Sequence, residues 1–535
     1  MSDTERRTSR GPAAIAGLVS TGSALAAAEV AAALVTRPTA APLLAVGDAV
    51  VDLAPLPVKQ FAVDTFGTAD KPALLIGTAL LLAVAAALIG AAAGRRRVLG
   101  PVGIAAFTAV GLAAALTRPD AGPLDALPTL AGAAVGAVVL LRLLRAAAGP
   151  RGVVTRQDPA GGEGPTARDA PAGFDRRRFA LLAGAVAAVS AGTGTAARLL
   201  PAASPGGGIT PANAVIPRPT DRAAPLPDGV DLELDGLTPF FTPNGDFYRI
   251  DTALSVPRID ASTWSLRVHG LGASEELVLT YQDLLDHPDL CERDITLACV
   301  SNPVGGTYVG NARWIGVPLA SVLARAGARS PADGGPADQL VARSEDGMTI
   351  GTPMAEVMDG RDALLAVGMN GRPLPHDHGF PVRMVVPGLY GYVSACKWIT
   401  EIELTTFDAF DAYWVPRGWS ARGPVKTQSR VDTPRDRADL GPGRVAVAGV
   451  AWAQHTGIDR VEVRVDDGPW TEARLAGEAG TDTWRQWVLD WDAEPGEHTI
   501  TVRATDRDGR TQTPDRAEPA PDGATGHHGV TVTVA

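Results

Sequence analysis

Five apolar runs near the N-terminus decide what this 535-residue chain can fold into. They cover residues 12–36, 73–94, 98–117, 127–147 and 179–200. Each has the ~20-residue length of a helix that crosses a bilayer. Runs this long and this bare of charge do not suit the buried helices of a water-soluble domain. Arginines mark one side. Arg6, Arg7 and Arg10 precede the first run, Arg95, Arg96 and Arg97 separate the second and third, and Arg145, Arg151, Arg156, Arg176, Arg177 and Arg178 lie between the fourth and fifth. The other two connections carry Asp48, Asp52, Asp64 and Asp70, and Asp120 and Asp125. The positive-inside rule places the N-terminus in the cytoplasm, and five crossings then put everything after about residue 201 outside it. The expected order is a four-helix membrane region (1–148), a cytoplasmic linker (149–175), a fifth transmembrane helix (176–200) and a Pro-rich extracytoplasmic linker (201–230). Glu29 is a lone carboxylate in the first run, so it is a functional suspect, with pairing to a neighbouring helix as the alternative.

The fifth run opens "DRRRFALLAG". Arg176-Arg177-Arg178-Phe179 resembles a twin-arginine export signal, with Asp175 where a Ser or Thr is usual. That route carries proteins already folded around a cofactor. No small-residue cleavage site stands out, so retention as a membrane anchor is expected. All eight histidines lie at His269 or beyond. Haem held between membrane helices normally needs imidazoles there, so no haem is expected in this chain. The three cysteines, Cys291, Cys299 and Cys396, are too few for a disulfide framework, and the absence of any CxxC or CxxCH removes zinc ribbons, thioredoxin-like motifs and c-type haem. The formal net charge is −11, with the acidic residues mostly after residue 231. Such a chain offers no basic stripe for nucleic acid.

Residues 231–422 read as an α+β domain. "WSLRVHGL" and "ELVLTYQDLL" suggest strands and a helix start, "PLASVLARAG" has helical period and a Gly stop, and "PVRMVVPGLYGYVSACKWITEIELT" reads as two or three strands with Gly-rich turns. Residues 423–535 change texture. "RVAVAGVAWA", "VEVRVDDGPWTEARL", "WRQWVLDW" and "GEHTITVRATDRDGR" are short alternating strands split by turn residues, the pattern of an immunoglobulin-like β-sandwich. Trp452, Trp470, Trp484, Trp487 and Trp491 are candidates for its core or an interface.

Cys299 ends the strand-like run "DITLAC" and is followed by "VSNPVGG". By chemistry alone it fits a nucleophile, a metal ligand or a buried hydrophobe. A nucleophile needs a base, and the local sequence supplies none. A soft thiolate suits a redox metal, but one cysteine needs further ligands from a cofactor. A Gly-rich loop lets backbone approach a bulky ligand. Cys291, eight residues upstream, and Cys396 read as buried thiols.

"TLACVSNPVGG", with "ARWIGVPLASVL" after it, resembles the sulfite oxidase family of molybdopterin-dependent oxidoreductases. So do "GDFYRIDTALSVPRIDASTWSLRVHGL", "LPHDHGFPVRMVVPGLYGYVSACKWITEIEL" and, in the sandwich, "PVKTQSRVDTP" and "VEVRVDDGPW". The resemblance runs from about residue 235 to 535 and leaves out the membrane region. It implies a molybdenum–molybdopterin cofactor with Cys299 as the protein ligand to the metal. It implies cofactor contacts from Asn244, Tyr248, Arg249, His378, Arg383, Ser394 and Lys397, and an anion-binding, substrate-side role for Arg313. It implies a sandwich of the type that often serves dimerisation in this family, hence a possible homodimer. One departure concerns the substrate: animal and plant sulfite oxidases follow their cysteine with Asn-Arg-Arg, whereas Pro303 follows Asn302 here. The implied function is two-electron oxygen-atom transfer on a small substrate, sulfite-oxidase-like or sulfoxide-reductase-like, with electrons exchanged with a separate partner. The competing reading is a catalytically silent, membrane-tethered binding or scaffold module on the same fold; Cys299 argues against it, since a scaffold needs no thiol there.

Replacing Arg176 and Arg177 by Lys is expected to strand the C-terminal region on the cytoplasmic side. Protease added outside spheroplasts should then no longer reach it, and unchanged cleavage would rule out the export signal.

Overall fold

The structure is a computed structural model that describes residues 10–35, 40–54, 58, 61, 65, 70–118, 121–148, 176–199 and 208–535. The chain divides into two compact units, 1–203 with 253–255, and 204–252 with 256–535. The expected linker 149–175 and the start of 201–230 lie outside the described residues.

The first unit is helical: α1 (Arg10–Val35), α2 (Pro42–Leu53), α3 (Asp70–Ala93), α4 (Leu99–Leu116), α5 (Leu127–Ala148) and α6 (Arg176–Leu199). Among the described residues four helices are long and apolar enough to cross a membrane: Arg10–Leu34, Lys71–Ala93, Leu99–Leu116 and Pro123–Ala147. The fifth expected span is the 24-residue helix α6; it falls outside this set, with Arg177 and Arg178 in its first turn and Ser, Thr and Gly further along. The apolar helix α2 was not anticipated; at 12 residues it is too short to span. Small residues set the packing. A Cβ on Gly17 of α1 would lie 2.1 Å from the Ala86 carbonyl of α3, and one on Gly132 of α5 would lie 2.6 Å from the Ala24 carbonyl of α1. The Ser20 hydroxyl donates to Gly136 O at 2.7 Å. Close backbone approach through small residues is the usual means of helix association in lipid.

The second unit begins with β1 (Ser265–Gly270), β2 (Leu277–Thr280), β3 (Cys291–Ala298), β4 (Val309–Pro318), β5 (Gln339–Ser344), β6 (Thr349–Pro353), β7 (Leu364–Met369), β8 (Arg372–Pro373), β9 (Arg383–Val385) and β10 (Ile399–Thr405). They form two sheets, β2-β1-β10-β5-β6 and β3-β4-β7-β8, with β9 pairing β7. Within these sheets β1 and β10 run parallel and every other pairing is antiparallel. The α+β reading is thus met. Between β9 and β10 the short helix Gly391–Ser394 takes the place of the expected continuous strand-and-turn pattern. Residues 208–230 lie against the domain rather than hanging free. Ile209 N–H donates to Asp260 at 2.8 Å, and Asp221 forms a parallel bridge with Cys291.

The remaining strands are β11 (Gln428–Thr433), β12 (Asp439–Leu440), β13 (Gly443–Trp452), β14 (Ile458–Val465), β15 (Thr471–Glu472), β16 (Arg474–Leu475), β17 (Arg485–Ala493), β18 (Gly496–Asp506) and β19 (His528–Val534). They make the expected sandwich of two sheets, β11-β13-β17-β16 and β12-β19-β18-β14-β15. Alternating Val461 and Val463, Ile500 and Val502, and Val530 and Val532 fill its core with Trp487. Trp452 and Trp484 belong elsewhere: both join the core of the preceding α+β domain, so the two domains share part of that apolar interior.

That shared interior seals an edge. β3 ends its sheet, and an exposed strand edge leaves backbone groups unpaired. Here Thr296 N–H donates to Asp482 O at 2.9 Å, Gln454 donates to Thr296 O at 3.1 Å, and Trp484 N–H donates to the Thr296 hydroxyl at 2.7 Å. The Trp484 indole N–H reaches Phe240 O at 3.0 Å. Trp484→Ala removes a fully buried side chain at this seam and is expected to destabilise the soluble unit by about 3–5 kcal/mol. Denaturant unfolding of the full chain followed by circular dichroism should show both domains losing stability together; a loss confined to the sandwich would contradict the shared core.

Candidate active site

Cys299 stands immediately past β3, as the alternating pattern implied. Its N–H donates to Tyr308 O at 2.9 Å, and its Sγ lies 3.0 Å from the Ser301 hydroxyl. Burial holds the thiol above its ordinary pKa, against the opposing pull of Ser301. A thiol that stays protonated, with no base bonded to it, is a poor nucleophile. A metal cation at the sulfur would reverse that balance by deprotonating it. Among the described residues no three His, Cys, Asp or Glu side chains cluster to hold a metal. Any metal at Cys299 therefore needs ligands beyond those that the described residues gather.

Cys299 lines a solvent-open cavity. Tyr248, His378, Arg383 and Lys397, all expected at the site, line it too. The short β9 delivers Arg383, which is 5% exposed. Its Nη1 donates to His378 O at 3.3 Å and its Nη2 to Ala395 O at 3.5 Å, while its Nε has no partner. The guanidinium lies over the Trp314 ring, 5.1 Å from its centroid, and among the described residues no carboxylate pairs with it. Burial pulls its pKa down to about 10. An unpaired buried cation costs several kcal/mol, so this one fits an anionic ligand such as a phosphate.

Lys397 is also buried, and burial pulls its pKa down to about 8, but it has a counter-ion in Asp251 at 2.5 Å. Asp251 in turn accepts from Arg249 Nε at 2.8 Å, and Arg249 Nη1 reaches Asp377 at 3.1 Å. Arg249 is not among the cavity-lining residues and bears on it through Asp251. The His378 ring is 2.8 Å from Asn244 O through Nε2. A carbonyl only accepts, so Nε2 carries the proton and Nδ1 is a free acceptor. Burial, then the Arg383 charge, lower its pKa to about 4. Gly379 ends this turn at φ 105°; a Cβ there would press on Arg383 and Lys397 at 3.0–3.1 Å. Burial, then proximity to Cys299, push the Tyr248 hydroxyl pKa upward.

Three expected residues are placed otherwise. The Asn244 side chain bonds Met369 O at 3.2 Å and Asn370 at 2.8 Å, so it enters the site only through the carbonyl that holds His378. The buried Ser394 hydroxyl donates to Leu389 O and Tyr390 O, each at 3.0 Å. Arg313 does not line the cavity. The β3–β4 register sets it opposite Asp294, and the two form a bidentate pair with both N···O distances 2.7 Å. Cys291 is buried as expected, its thiol pushed up to about 11 by burial. Sequence reasoning missed Cys396, Asp251, Asp346, Tyr392, Trp398 and Trp414 as cavity walls. Asp251, two residues after Arg249, was findable as the counter-charge a buried lysine requires; Trp398, held at φ 52°, gives no sequence signal.

Residues 253–414 match the family described as "Oxidoreductase molybdopterin binding domain", and residues 428–502 match "Bacterial Ig domain". Sulfite oxidase of Gallus gallus is 32% identical over 325 residues, covering 52% of this chain and 69% of its own. The chain belongs to the sulfite oxidase family of molybdopterin-dependent oxidoreductases. Mitochondrial sulfite oxidase of Mus musculus is 32% identical over 323 residues, and the match spans only 58% of that relative's length. The uncharacterized oxidoreductase YuiH of Bacillus subtilis is 30% identical over 164 residues, 31% of this chain and 76% of its own. Among solved structures, the sulfane dehydrogenase SoxCD of Paracoccus pantotrophus aligns over 55% of this chain and 81% of that one, at 25% identity and a TM-score of 0.47. The molybdenum–molybdopterin cofactor goes with family membership, and the unpaired Arg383 beside Cys299 fits it.

His378 and His528 are each held neutral by burial, with pKa values lowered from 6.5 to about 4. Between those values the unfolded chain binds more protons than the folded one. Stability therefore rises with pH across that window and is lost as pH falls through it. Each histidine contributes at most about 1.4 kcal/mol per pH unit. Melting temperatures recorded from pH 7 to 4 should fall, and His378→Gln should shallow the slope; an unchanged slope would refute the assignment.

Proposed function

We propose that this chain is a membrane-anchored oxidoreductase whose catalytic domain faces away from the cytoplasm and transfers an oxygen atom to or from a small substrate. The observation that carries the site assignment is Cys299 sharing a cavity with Arg383, a buried cation that has no counter-ion among the described residues. When bound, the molybdenum cofactor supplies the two-electron redox couple. Cys299 is its one protein ligand to the metal. Arg383 meets the phosphate charge, His378 presents an acceptor nitrogen to the pterin, and Lys397 stays oriented by Asp251 and, behind it, Arg249. Asn244 acts by fixing the His378 tautomer and Ser394 by closing the turn below.

The cavity's own charges bear on the substrate. Lys397 is matched by Asp251, Asp346 adds a further carboxylate, and Arg313 is held by Asp294. Pro303 occupies the loop position where a sulfite-oxidising enzyme has an arginine. These features favour a substrate that needs less cationic steering than sulfite does. Electrons leave or enter singly through a separate partner. Apolar α1, α3, α4 and α5, with α6 as the fifth span, support the anchor.

Protein expressed in a host that makes the cofactor should contain close to one molybdenum per chain. Cys299→Ser should fold normally yet lose the metal, and Arg383→Ala should weaken cofactor retention by roughly ten- to a hundredfold, the worth of a charge-assisted hydrogen bond. Metal analysis and pterin fluorescence read both. Full molybdenum content in Cys299→Ser would overturn the ligand assignment, and a wild-type chain without molybdenum would favour a scaffold.

A further inference from the structure

The loop that follows Cys299 is held from outside its own domain. Within the loop, Asn302 N–H donates to Cys299 O at 3.1 Å, and the Asn302 side chain accepts from Tyr308 N–H at 2.9 Å. These bonds close the loop on itself but do not fix it in space. Two sandwich residues do. Arg430, on β11, is 6% exposed and its Nη1 donates to Gly306 O at 2.8 Å. Its remaining nitrogens are committed: Nε to Asp432 at 2.6 Å and Nη2 to the Thr238 hydroxyl at 3.0 Å. Asp432 also accepts from Thr238 N–H at 3.1 Å, which locks the guanidinium's orientation.

His528, at the start of β19, lies flat against Gly305. A Cβ on Gly305 would fall 2.0–2.2 Å from the imidazole, and φ there is 77°, so both space and backbone demand glycine. The ring is itself fixed, because Val431 N–H donates to its Nδ1 at 3.0 Å. Val431 neighbours Arg430, so β11 orients both contacts. The glycines of "VGG" therefore serve this junction, and not a close approach to a ligand as the sequence suggested.

We infer that Arg430 and His528 are positioning residues for Cys299: the sandwich domain clamps the loop that carries the metal ligand and so sets where its sulfur stands. The inference rests on the ligand assignment above for its meaning in catalysis, but the clamp itself exists without any metal. Ligand placement of this kind is worth factors of ten or more in metal-site properties. The conservative change Arg430→Lys keeps a cation beside Asp432 yet cannot also reach Thr238 and Gly306. His528→Asn keeps an acceptor for Val431 N–H and removes the ring from Gly305.

The test uses the cofactor-free full chain from a host that cannot make the cofactor. Iodoacetamide modification is followed at each cysteine by mass spectrometry. Each variant should raise the rate at Cys299 about tenfold or more, leave Cys291 and Cys396 at wild-type rates, and keep the wild-type circular dichroism. In the loaded protein both variants should shift the Mo(V) electron paramagnetic resonance signal. Unchanged alkylation of Cys299 in either folded variant, or an unchanged Mo(V) signal, overturns the inference. A molybdenum-replete Cys299→Ser would instead defeat the ligand assignment, which the alkylation rates do not touch.

Discussion

The pairing of one exposed strand edge with a neighbouring domain underlies the soluble half of this protein. β3 ends its sheet, so one edge of the strand that leads to Cys299 has backbone groups to satisfy. Thr296 satisfies its own by giving its N–H, carbonyl and hydroxyl to Asp482, Gln454 and Trp484. Only Leu297 and Ala298 separate Thr296 from Cys299, so the strand that presents the sulfur is anchored close to its end. The apolar side chains follow: Trp452 and Trp484 leave the sandwich core and complete the neighbouring one. The sandwich keeps a core of its own and lends Val450, Trp452 and Trp484 to its neighbour's.

Lys397 and Arg383 are both buried, yet only the lysine has a carboxylate, and the difference separates scaffold from ligand site. Asp251 keeps Lys397 in place whether or not anything is bound. Arg383 leans on two long carbonyl contacts and the Trp314 face, an arrangement that fits a further anion. His378 remains neutral between them and so offers an acceptor instead of a third charge.

Much of this was legible in the sequence because it rests on local patterns. Residue spacing in "DITLAC" announced a strand ending at Cys299, and valine alternation announced β14 and β18. Family motifs located Tyr248, His378, Arg383 and Lys397 correctly on the cavity wall. Some placements depend on partners distant in sequence. Asp294 stands opposite Arg313 only through the β3–β4 register. The glycines after Cys299 looked like room for a ligand, whereas His528, more than two hundred residues away, is what fills that space. Trp398 was invisible because the need for a wall arises only once the chain is folded.

The lone guanidinium at Arg383 has a consequence for stability. Binding that neutralises a buried charge stabilises the folded state by an amount that grows with the logarithm of ligand concentration over the dissociation constant. A cofactor whose phosphate meets Arg383 would therefore stabilise the folded chain as it loads, so the contact that holds the ligand would also add to the stability of the fold around β9.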